Sequence, residues 1–140
     1  MVPARSRLWY TLTACVVVAL GLVTRPLKPF ADAFVSAFGD ALYAVLVYLL
    51  IGVALPRLRP LWVFFAATFL AAGVEVGQLF HPAWLSAVRR TLVGGLALGG
   101  TFSVGDLWCC LAGTLIAFGC ELFWKKRKEE HEQTKTPSTS

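Results

Sequence analysis

The chain has 140 residues, of which 57% are hydrophobic and only 15% charged, and its net charge is +5 at pH 7. A soluble domain carries roughly a quarter charged residues, yet here charge is absent between Arg7 and Arg25, Asp40 and Arg57, Arg59 and Glu75, and Asp106 and Glu121. Four such gaps, each near the roughly 20 apolar residues that cross a hydrocarbon core, exclude a soluble globular fold, a disordered chain and a nucleic-acid module, and they predict an all-α polytopic membrane protein.

Four transmembrane helices are expected, near residues 8–24, 40–55, 61–80 and 106–124. The first follows Arg5 and Arg7 in the manner of a secretory signal. Cys15 lies inside the apolar run, however, and no small-x-small cleavage site precedes Arg25, so 8–24 reads as a retained helix. Between Pro29 and Gly39, Phe30, Phe34 and Phe38 recur every fourth residue, which predicts a short amphipathic helix lying in the membrane interface. The second helix opens at Asp40, with Tyr43, Ala44, Val47 and Ile51 below it on one side. The turn Pro56-Arg57-Leu58-Arg59-Pro60 is short enough to force helices two and three into an antiparallel hairpin.

Helix three carries Glu75, roughly 7 to 8 Å inside its end if that end is Phe80. Thr68, Ala71, Ala72, Glu75 and Gln78 share one face, and Gly73-x-x-x-Gly77 forms a close-approach motif nearly opposite, expected to serve helix packing. The longest connection, residues 81–105, holds Trp84, Arg89, Arg90 and five of the twelve glycines; a re-entrant dip at Leu92–Gly100 and an ordinary loop both fit it. No Gly-Lys-Ser/Thr ending accompanies those glycines, so a phosphate cradle is disfavoured. Helix four repeats a small inward face, Asp106, Cys110, Gly113, Ala117 and Cys120. Glu121 stands one turn before Lys125 and reads as an i,i+4 ion pair. From Lys125 to Ser140 a basic and then polar tail is expected to be solvated.

Charge sets the expected orientation. With the N-terminus inside, nine Lys/Arg (Arg5, Arg7, Arg57, Arg59, Lys125, Lys126, Arg127, Lys128, Lys135) face the cytoplasm and four (Arg25, Lys28, Arg89, Arg90) face outward. The bias predicts both termini in the cytoplasm, with the 81–105 loop outside. Asp40, Tyr43, Glu75, Gln78 and Asp106 then lie in or near the outer leaflet, with Arg89 in the adjoining loop. A carboxylate at the depth of Glu75 costs about 2.5–3.5 kcal/mol on insertion scales, so it must face the bundle and hold a partner or a proton. Asp40 and Asp106 also read as N-caps of their helices. The four cysteines and two histidines have neither disulfide nor zinc spacing, and no metal or cofactor is expected.

At these positions the sequence resembles a known family. The residues are Gly39-Asp40-x-Leu42-Tyr43-Ala44, Glu75-x-x-Gln78-Leu79, Trp84-Leu85-x-x-x-Arg89-x-Thr91, Leu98-Gly99-x-x-Phe102-Ser103-x-x-Asp106-Leu107 and Gly113. Over residues 8–122 they look like domain-of-unknown-function family 2809, small proteins of the bacterial inner membrane. More distantly they look VanZ-like in their Glu-x-x-Gln helix end, Arg and later Asp, although the Gly-rich connection and the lack of an Asn after Asp106 depart from that pattern. The resemblance implies a fold and a residue list, not a reaction.

Three classes of function fit. The first is an outer-leaflet site for a lipid or cell-envelope molecule, with Asp40, Glu75 and Asp106 as acids, Arg89 as anion clamp, and Tyr43 or Gln78 orienting the bound group. The second is a structural or accessory subunit whose polar residues only tie helices together. The third, less favoured, is a small proton-coupled exporter; four-helix multidrug exporters place their membrane glutamate in the first helix rather than the third. No Ser/His/Asp set, metal box or nucleotide loop points to an enzyme. The expected partners are membrane lipids and, if any protein, a second copy or another membrane protein.

Overall fold

A computed structural model describes residues 6–24, 32–77, 83–91 and 104–135. These hold five helices and no strand: α1 (Arg7–Thr24), α2 (Asp32–Ala54), α3 (Pro60–Gly77), α4 (Ala83–Arg89) and α5 (Val104–Lys135). All but the short α4 are long and apolar enough to cross a membrane. Helices are the expected solution there, because lipid offers backbone amides and carbonyls no partner and the i→i−4 ladder satisfies them within one segment. Polar side chains on the lipid-facing helix follow the same economy: Thr11 and Thr13 donate to the carbonyls of Arg7 and Trp9, each at 2.8 Å.

α2 is the hub. It packs against α1, α3 and α5, and α3 also packs against α5, whereas α1 touches α2 as its main neighbour. Two faces of α2 serve these two groups. Leu42, Val45, Leu46 and Leu49 meet Tyr10, Ala14 and Val17 of α1. Val47, Tyr48 and Ile51 meet Val63, Ala67 and Phe64 of α3 and Ala117 and Phe118 of α5. The α3 residues that face inward, Val63, Ala67, Ala71 and Glu75, follow a strict spacing of four, so three small or slender apolar side chains and one acid form its buried stripe.

The α2–α3 connection is the expected tight hairpin. Pro60 is the first residue of α3, where its missing N–H costs nothing, and the Arg59 carbonyl accepts from Trp62 (3.0 Å) and Val63 (3.2 Å). At the Asp106 end of the bundle, α4 closes with Arg90 N–H donating to Ser86 (3.3 Å) and Ala87 (3.2 Å).

Three expectations are corrected. The interfacial helix over 29–39 and the helix over 40–55 are not separate in the described part: α2 runs unbroken from Asp32 through Gly39 to Ala54. Nothing lies near Gly39 to force a break, and Phe34 and Phe38 keep the helical phase and stay exposed on the same rod. The region beyond Lys125 is solvated as expected but helical as far as Lys135. It consists of good helix formers, with Lys126/Glu130 and Lys128/Glu132 at i,i+4 and no Gly or Pro before Pro137. Finally, the close approach of helices among the described residues is not at Gly73 and Gly77, where an added Cβ would meet none of them within 4 Å, but at Gly113. A Cβ there would stand 3.0 Å and 3.1 Å from the backbone C and Cα of Ala41 and overlap its carbonyl oxygen, so glycine is what lets α5 meet the α2 backbone.

The outer faces of the helices are apolar, as a lipid solvent requires. Their exposed tryptophans sort to two levels. Trp9, Trp62 and Trp124 stand at the end that carries Arg57, Arg59 and Lys125–Lys128, and Trp108 stands at the other. Along α5, Trp108 and Trp124 are about 24 Å apart by helical rise, a spacing suited to the two interfaces of a hydrocarbon core.

Candidate functional site

α2 and α5 begin at one end of the bundle and α3 stops there, so antiparallel packing gathers acids that are far apart in sequence. Asp40 lies eight residues into α2, about 12 Å along its axis. Glu75 is two residues from the end of α3, and Asp106 is the third residue of α5. The charges of Asp40 and Asp106 both act on Glu75. Tyr43, one turn below Asp40, is close enough to sense Glu75 and Cys110. The cluster has a floor of small buried side chains, Ala44, Ala71 and Cys110, with Tyr43 packed against them. The Cys110 thiol reaches the Asp40 carbonyl at 3.8 Å, a second tie between α2 and α5 close to Gly113.

Four of the six residues expected at the site, Asp40, Tyr43, Glu75 and Asp106, are thus brought together. Gln78 lies outside the described residues; of Arg89 only the backbone is described, as the last residue of α4. Asp40 is not an N-cap, because α2 begins eight residues earlier. Asp106 does sit in the first turn of α5, where an anion is favoured by the helix dipole. Sequence reasoning placed Cys110 on the inward face with Asp106 but did not count it, or Cys109, in the site. The available signal was spacing, since Cys110 follows Asp106 by one turn on the inward face.

Glu75 is the most deeply buried acid of the cluster. It is 3% exposed, and its Oε2 is buried without a hydrogen-bond partner among the described residues. A carboxylate in that position is complemented by a cation, a hydrogen-bond donor or a proton supplied from outside α3.

Elsewhere the interior polar groups are satisfied. Thr68 of α3 donates to Thr114 of α5 at 3.0 Å, and the Thr114 hydroxyl bonds back to the carbonyls of Cys110 (3.1 Å) and Leu111 (3.0 Å). Farther along α5, Tyr48 donates to Glu121 Oε2 at 2.6 Å and Lys125 pairs with Glu121 Oε1 at 3.1 Å. The Glu121–Lys125 pair is the one expected from spacing. Tyr48, from the opposite helix, was not expected. Among the described residues no group of three His, Cys, Asp or Glu is placed to hold a metal ion.

A three-helix core with α1 laid against it, a closed hairpin and a buried acid cluster at one end define a small multi-pass membrane protein. A family model described as protein of unknown function (DUF2809) matches residues 30–114, more than half of the chain, and the chain belongs to that family. The matched segment is narrower than 8–122: it omits α1 and the far two thirds of α5, and with them Glu121 and Lys125, while containing all six candidate site residues. No solved structure matches the chain.

Proposed function

We propose that the protein is a bacterial cytoplasmic-membrane protein, both termini inside, whose acid cluster is a binding site in the outer leaflet for a lipid or cell-envelope molecule. One observation carries this reading: Glu75 is buried in a membrane bundle with a carboxylate oxygen that the described residues leave unpaired. Isolated in hydrocarbon, such a group is costly. A structural subunit would be expected to close the bond internally, as this same chain does at Glu121. In the proposed site Asp40, Glu75 and Asp106 supply negative charge, Tyr43 and Gln78 orient the bound group, and Arg89 clamps its anionic part.

The test is lipid retention together with abundance. Glu75→Gln and Arg89→Gln are expected to insert at normal abundance while losing molecules that co-purify with the wild type, measured by mass spectrometry of extracted lipids. Parallel loss of abundance in both variants would instead support the accessory-subunit reading. Orientation is tested separately with an impermeant thiol reagent: a cysteine at Ser103 is expected to label from outside and one at Ser138 is not.

A further inference from the structure

Resting on that site, we infer that the group Glu75 receives is the protonated amine of a membrane amphiphile, an ammonium headgroup carried on a lipid. The cluster is acidic, and a second, independent feature points to a donor: Glu75 Oε2 is an acceptor buried from solvent with no partner among the described residues. Its neighbours Asp40 and Asp106 repel a further anion and attract a cation.

The kind of cation follows from geometry. No three ligating side chains among the described residues converge on a point as a bare metal ion would require. An ammonium instead spreads three N–H donors over several acceptors roughly 3 Å away. It suits acids set around a rim on three different helices, α2, α3 and α5. The site's position favours a lipid source: Asp106 lies in the first turn of α5, two residues from the exposed Trp108 at the level where headgroups sit, and Glu75 is its neighbour. The floor of Ala44, Ala71 and Cys110 closes the site toward the bundle centre, so the headgroup enters from that interface.

The experiment uses the full chain in nanodiscs of phosphatidylethanolamine, phosphatidylcholine and phosphatidylglycerol in equal parts, with retained lipid read by native mass spectrometry. Wild type is expected to retain phosphatidylethanolamine about tenfold over phosphatidylcholine, the worth of charged hydrogen bonds that a trimethylated amine cannot make. Mono- and dimethylated ethanolamine lipids should fall between in order of remaining N–H groups, a series that needs no variant and so does not depend on folding of one. Glu75→Gln should reduce the preference to below about twofold. A Glu75-dependent thermal shift with soluble ethanolamine but no retained lipid would support the ammonium chemistry and assign it to a soluble amine. Equal retention of the ethanolamine and choline lipids would overturn the inference. If another lipid were then retained in a Glu75-dependent way, the binding site would stand without its ammonium specificity; if none were, both would fall.

Discussion

Two carboxylates of one bundle face the same problem and meet it differently. Glu121, 7% exposed near the basic end, has each oxygen engaged, one by the Tyr48 hydroxyl at 2.6 Å and the other by Lys125 at 3.1 Å. Glu75, 3% exposed at the opposite end, has acids for neighbours and an oxygen the described residues do not bond. Burial of an acid is therefore not by itself a mark of function in this chain. The informative difference is whether the fold completes the bond. Glu121 is a strut between α2 and α5, and Glu75 is a position that the described residues leave uncompleted.

The comparison is broken most forcefully by removing both partners of Glu121. Tyr48→Phe with Lys125→Met leaves a buried carboxylate uncompensated, which is expected to cost about 3–5 kcal/mol and to deplete folded protein, measured by thermal unfolding in detergent. Wild-type-like stability would show that Glu121 is not a strut. Adding Glu121→Gln should recover much of the loss, because it removes the charge that the double variant strands.

A smaller effect is expected from Gly113→Ala, whose Cβ overlaps the Ala41 carbonyl and must push α5 away from α2, at about 1–3 kcal/mol. Because the acid site depends on α2 and α5 meeting there, Gly113→Ala should also weaken lipid retention. The matched control is Gly73→Ala, where the new Cβ meets no described residue within 4 Å; a change within about 0.5 kcal/mol is expected. Should the two glycine variants behave alike, the α2–α5 close approach would not be what positions the acids.

Glu75→Gln should change stability by less than about 1 kcal/mol, in either direction, since it removes a buried charge while keeping the shape. Its effect belongs to retention of the bound molecule, so a large stability loss without change in retention would move Glu75 into the same class as Glu121. The smallest effect is expected for Thr68→Val, which deletes one hydrogen bond between α3 and α5 and should cost about 0.6 kcal/mol, the average worth of such contacts between membrane helices.

How much of this was legible beforehand differs by element. The hairpin at 55–59 was readable from two prolines, and the inward face of α3 from the phase that links Thr68, Ala71 and Glu75. The start of α2 was misread because Gly39-Asp40 has the composition of a helix start, whereas a glycine and an acid inside a membrane helix are tolerated when the surrounding residues keep the phase. Gly73-x-x-x-Gly77 was readable as a motif but not as a contact, because small residues permit close approach without requiring it. Gly113 makes that approach with no such motif around it.

The sequence alone determined that the chain is helical and membrane-spanning. Uncharged apolar runs cannot leave backbone groups unpaired in lipid, so their length and composition dictate helices whatever the neighbours are. It also determined that an acid would lie in each of three helices. Which acid the described residues complete and which they do not was decided only by tertiary structure. Tyr48 and Glu121 are 73 residues apart, and their bond exists because α2 and α5 pack at one register. Beside Glu75 that same register places Asp40 and Asp106; such an outcome depends on angstrom-scale packing between helices, to which the pattern along any one of them is indifferent.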